Sequence, residues 1–223
     1  MSDIVSTYTD GKVKVDTAGV TRKPVQDRSR DRVERVVAAA ERLLLETGPE
    51  RTSIPEVARL SKVPRASIYQ FFPSKYALFL AISERHLKAV ADVIGQLELT
   101  NEAEPQNGQF EHMARSVTRA AADYYNDHPV ASMLILGGPM SREAYLSQEV
   151  TIQDIGHQLR PLFSRYAPDA VLPQDPDVVT IAVEIAFACM KHSYFTHARI
   201  IEPMVDQAAM AASAYLRHWL EPG

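Results

Sequence analysis

Arg65, Ser67 and Gln70 stand close together in the chain and carry side chains suited to hydrogen-bonding the edges of nucleic-acid bases. An arginine fork can give two N–H donors to one guanine, a glutamine amide can pair with adenine, and Ala66 or Ser67 can lie against a thymine methyl or accept a bond. Thr52, Ser53, Tyr69 and Lys75 flank them with hydroxyls and an ammonium that suit phosphate oxygens. Each has a plainer role as well. Ser53 and Ser74 can cap helices, Tyr69 can close a core and Lys75 can be solvated.

These side chains need a rigid mount. The apolar residues Ile54, Val57, Ala58, Val63, Ile68 and Phe72 give a shared underside to two short helices, leaving Arg65, Ala66, Ser67, Tyr69 and Gln70 around the second. Ser53 stands three residues before Glu56 in a capping-box spacing, and Pro55 fits a first helical turn because its missing N–H would have been unpaired there. Upstream, Val33, Val36, Val37, Ala40 and Leu44 recur at spacings of three and four, predicting a leading helix from Arg28 that Gly48-Pro49 ends. Downstream, Ser74 opens a helix carrying Leu78, Phe79, Ile82, His86, Leu87 and Val90 on one stripe.

Together these features read as a helix-turn-helix, the smallest unit able to lay side chains in a major groove. The leading helix, the Thr52-Ser53 cap, Val57-Ala58, Val63, Ile68-Tyr69, Phe72 and Ser74-Lys75 resemble the DNA-binding domain of TetR family transcriptional regulators over about residues 28 to 88. Lys62 departs from the usual turn glycine, Pro64 from the usual Ser or Thr cap and Ala66 from a frequent Gly or Thr. The turn therefore demands a positive φ of a lysine, at a cost in strain. The resemblance implies an all-α fold, with an N-terminal three-helix helix-turn-helix DNA-binding domain and a C-terminal helical ligand-binding and dimerisation domain. We expect a basic disordered arm over 1–26, the DNA-binding domain over 27–75 and the second domain over 76–223.

Charge is divided along the chain. Residues 1 to 88 hold 16 Lys and Arg against 11 Asp and Glu, and the remainder holds 8 against 17. A positive front suits a phosphate backbone and an acidic remainder keeps other surfaces off it, although chance clustering of solvated charges would look the same. Cys189 is the single cysteine, excluding an internal disulfide and suggesting a reducing compartment with a buried small side chain. No apolar stretch is expected to approach the roughly 18 residues needed to span a bilayer, and no secretory signal pattern opens the chain, so a cytoplasmic protein without a membrane partner is expected.

The second half reads as helices throughout. A stripe of Phe110, Met113, Val117, Ala121 and Tyr124 follows an expected loop over Asn101 to Gln109, and Pro129 must end that helix near His128. Gly137-Gly138-Pro139 breaks the next apolar piece, a helix runs from Arg142 toward Tyr166, and two apolar helices are expected over Pro176 to Ile200, opened by Asp175, and over Pro203 to Leu220. Helices apolar on more than one face need partners, which suggests a homodimer joined as a four-helix bundle.

By the same resemblance, a small-molecule effector would sit in the C-terminal domain and release a near-palindromic operator on binding. Met113, Tyr124, Met133, Phe163, Phe187, Met190 and Tyr194 could line such a pocket, ordinary core packing being the alternative for each. His192 and His197 lie five apart and face away from one another, so no metal site is assigned, and no cofactor is expected. Gly-x-Ser-x-Gly, phosphate-loop and HExxH patterns are all missing from the sequence, arguing against an enzyme. A helical scaffold that binds only proteins, or a regulator lacking a small-molecule effector, remain the competing expectations.

Overall fold

The computed structural model describes residues 25–97, 109–138, 140–166 and 171–220. Residues 1–24 of the arm expected over 1–26, and 101–108 of the loop expected over 101–109, lie outside the described residues, as does Pro139, while Val25, Gln26 and Gln109 already belong to helices. Among the described residues every regular element is helical, apart from an isolated bridge between Gln174 and Asp177.

Helix α1 (Val25–Arg51) breaks at Gly48, whose φ of 78° only glycine adopts freely, with Pro49 following. Helices α2 (Ile54–Ser61) and α3 (Arg65–Phe71) come next, joined through Lys62 in the left-handed region at φ 57° and ψ 31°. That is the conformation expected of the lysine standing at the turn. Helix α4 (Lys75–Gly95) is capped by Ser74, whose Oγ accepts the Ala77 N–H at 3.1 Å.

A first core gathers Val36, Leu44, Val57, Ile68, Leu78, Phe79 and Ile82, each almost wholly buried, from α1 to α4. A second core begins lower on α4 with Leu87, Val90 and Ile94 and continues through α5 (Gln109–Asp127), α7 (Arg142–Tyr166), α8 (Val178–His197) and α9 (Glu202–Leu220). Between the two lies α6 (Pro129–Ala131), which runs directly into a π-helical turn over Ser132–Leu136. Val130 and Leu134 of this piece enter the first core, whereas Ala131 and Ile135 enter the second.

Helix α8 starts two residues later than the sequence suggested. Asp175 and Pro176 are joined by a cis peptide ahead of it, and Asp177 is the cap, its Oδ1 accepting the N–H groups of Val179 at 3.1 Å and Thr180 at 3.4 Å. Arg160 of α7 pairs with Asp177 and also donates to the carbonyls of Leu172 and Pro173, both at 3.0 Å, tying the loop to both helices. Burial alone would raise the Asp177 carboxyl. Hydrogen bonds from Thr180 and Arg160 outweigh it and hold the group below the usual carboxylate range.

The expectation that no segment could span a bilayer needs correction. Helix α8 is long and apolar enough to do so by length and composition. It packs between α7 and α9, and Val178, Val179, Ala182, Phe187 and Met190 bury into the second core, which is how the core helix of a globular domain earns the same composition. Cys189 on this helix is half-buried rather than buried.

Helices α7 and α8 approach closely at Gly156. A β-carbon there would stand 2.3 Å from Thr180 Oγ1 and 3.0 Å from Thr180 Cα. Gly156→Val should push the helices apart and cost about 1 to 3 kcal/mol, measured by urea unfolding. Unaltered stability would mean that the contact is not tight.

Candidate nucleic-acid interface

Seven residues are too few for a helix to persist alone, so α3 depends on what it buries. Ile68 is fully buried and contributes about 1.5 to 3 kcal/mol of apolar burial. Phe72 and Val63 close the two ends of the same contact. Ser61 steadies the turn, its Oγ accepting the Val63 N–H at 3.3 Å.

Fixing that underside leaves the other face in solvent. Arg65, Ala66, Tyr69 and Gln70 are exposed and Ser67 is half-buried, so α3 presents a guanidinium, an amide, a phenol and a methyl from one rigid surface. Phe71 is also exposed, at 36%. The sequence reading missed it because one step along a helix from buried Phe72 turns a residue out of the core, and a lone apolar residue gives no signal of its own.

The flanking residues divide. Ser53 precedes α2 in extended conformation, with its Oγ donating to Glu56 Oε2 at 3.0 Å instead of closing the expected backbone cap. Thr52 is placed differently from the expectation of a phosphate contact: it is 1% exposed and its hydroxyl donates to the Gly48 carbonyl at 2.8 Å. It seals the break after α1. Lys75 is half-buried, and its ammonium donates to the carbonyls of Pro49 and Glu50, both at 3.0 Å. Two of its three protons thus hold the end of α1 against the start of α4.

The residues suggested for a ligand pocket also separate. Met113, Phe163, Phe187 and Met190 line a cavity of about 80 Å³ inside the second core, several times the roughly 10–15 Å³ that one water needs. Tyr124 lies outside its wall, donating or accepting at His86 Nδ1 at 2.8 Å and stacking on His128 with ring centres 4.1 Å apart. Met133 packs on the first core, and Tyr194 packs on the second beside Gly137. Residues 36–82 match the model of bacterial regulatory proteins of the tetR family.

Residues 36–82 therefore resemble the DNA-binding domain of tetR-family regulators. Solved structures share its fold over most of their length. A TetR-family transcriptional regulator from Streptomyces coelicolor is 23% identical, with a TM-score of 0.57 over 87% of this chain and 100% of the other. SmeT, the repressor of the Stenotrophomonas maltophilia multidrug efflux pump SmeDEF, is 18% identical, with a TM-score of 0.58 over 86% and 94%. A complex of SmeT with triclosan gives 17% and 0.54 over 86% and 93%. No curated protein sequence matches the chain. The matched domain and the shared fold support a DNA-binding transcriptional regulator.

Arg65→Ala should cost about 1 to 3 kcal/mol of duplex binding and relax sequence choice at one position per half-site, read by competition among variant duplexes. Equal loss on all sequences would make Arg65 a phosphate contact. Lys75→Ala should lower the melting temperature, because the carbonyls of Pro49 and Glu50 lose their donor, and should weaken binding to every duplex alike. A wild-type melting temperature would show the clamp to be idle.

Proposed function

We propose that the protein is a homodimeric repressor, working in the cytoplasm, that a small apolar ligand releases from a near-palindromic operator. The observation that carries this reading is that one helix joins reader to cavity. Leu78, Phe79 and Ile82 of α4 seat the helix-turn-helix, and Leu87, Val90 and Ile94 of the same helix form part of the cavity wall. A ligand that alters the wall must bear on the seat of α3, provided it binds the two arrangements unequally. The division of labour follows: the N-terminal helices read DNA, the remainder binds ligand and partner, and α4 serves both.

Pairing is supported by what α8 and α9 leave uncovered. Ile181, Ile185, Ala188 and Phe195 fall at helical spacing on one side of α8, half-buried or exposed, with Phe195 at 86%. Met210 on α9 is 57% exposed. An isologous contact through these faces would cover them and set two copies of α3 across a two-fold axis.

Selection of bound duplexes from a random pool tests the reading. We expect an inverted repeat whose half-sites lie one helical turn or a multiple apart, with affinity falling steeply as salt rises. Ile185→Glu should yield a monomer by light scattering and lose the symmetric preference. Enrichment of no sequence, as a protein-binding scaffold would give, overturns the reading.

A further inference from the structure

The cavity in the second core has a chemical character that no position in the DNA-reading half reveals. Among the described residues, its wall contains no Asp, Glu, Lys, Arg or His. Nearly all of it is aliphatic or aromatic. Thr118, Thr151 and Ser213 also line it, and each spends its hydroxyl proton on a helix carbonyl: Thr118 on Ala114 at 2.8 Å, Thr151 on Ser147 at 3.0 Å and Ser213 on Met210 at 3.1 Å. Those oxygens keep lone pairs but have no proton left to give.

Gln148 is different. It comes from α7, lines the cavity and is 5% exposed, yet its amide makes no hydrogen bond to any described residue. Burying an amide without partners is unfavourable, and the amide offers two donors and a carbonyl acceptor to a molecule in the cavity it lines. Tyr125, 3% exposed on α5 and also in the wall, has a hydroxyl that is likewise unpartnered among the described residues. Burial raises its ionisation well above the usual phenol range, so it stays neutral.

We infer that the cavity takes an uncharged, mainly aliphatic molecule with one hydroxyl or carbonyl head, held by the Gln148 amide while its chain lies along the apolar wall. This rests on the cavity being the effector site proposed above, and it names the ligand class. An ionised carboxylate would find no cation and an ammonium no anion, so each would lose its water without repayment. A wholly apolar molecule would leave Gln148 unpaired.

A matched series tests this on the full chain by calorimetry at neutral pH: 1-octanol, octanoate and octylammonium, which share a chain and differ in head charge. We expect 1-octanol to bind at least about tenfold more tightly than either ion. Gln148→Leu should weaken 1-octanol by about three- to tenfold, the worth of one hydrogen bond. Octanoate or octylammonium binding as tightly as 1-octanol overturns the proposal, as does failure of all three, or 1-octanol binding that a folded Gln148→Leu variant leaves unchanged. If that variant does not fold, the charge comparison on the unaltered chain decides alone. Binding of 1-octanol that leaves operator affinity unchanged supports the ligand class and overturns the release mechanism instead. Loss of operator affinity with octanoate bound in preference does the reverse.

Discussion

One helix has to satisfy two cores at once, and the rest of the molecule is arranged around that constraint. The upper half of α4 buries Leu78, Phe79 and Ile82 among α1 to α3, and the lower half buries Leu87, Val90 and Ile94 among α5, α7 and α8. At 21 residues it spans about 30 Å, with no break inside it. Packed interiors repack between discrete arrangements more readily than they deform by degrees, so under the proposed release mechanism a shifted cavity wall would be felt at the far end of the helix. Lys75 ties that far end to α1, and the π-turn at Ser132–Leu136 lays a second, shorter bridge between the cores.

Polar contacts fix the angle at which the two halves meet. His86 of α4 sits between Tyr124 of α5, at 2.8 Å, and Glu41 of α1, whose Oε1 lies 3.6 Å from Nε2. His128 stacks on the Tyr124 ring and bonds the Tyr124 carbonyl through Nδ1 at 2.7 Å. Only His86 is buried among these partners, so together they constrain register more than they add stability. Exposed pairs such as Arg85 with Glu34, or Arg115 with Asp206, add little on their own.

The sequence made the DNA-reading half legible because its signals are local. Spacing among Ile54, Val57, Ile68 and Phe72 declares a common underside, and the absence of glycine at Lys62 declares a positive φ that the structure bears out. Thr52 and Lys75 were harder to read, since what occupies them is the broken end of α1, set by Gly48 and remote from Lys75 in sequence. The cavity was the least legible part. Sequence reasoning looks for aromatics and methionines, which found Met113, Phe163, Phe187 and Met190, but a glutamine on a helix reads as solvent-facing until its neighbours are known. Gln148 becomes informative only when burial shows an amide with no partner. The start of α8 was misjudged for a similar reason, because Asp175 and Asp177 are equivalent caps until Arg160 selects one of them.

The most direct test of the account is a distance between the two readers of a dimer. Spin labels at Arg59→Cys, in a Cys189→Ser background, would report the separation of the helix-turn-helix units with the cavity empty and with 1-octanol bound. The account predicts a single distance that shifts when the cavity fills, because α4 carries the change. An identical distance with the ligand demonstrably in place would contradict it.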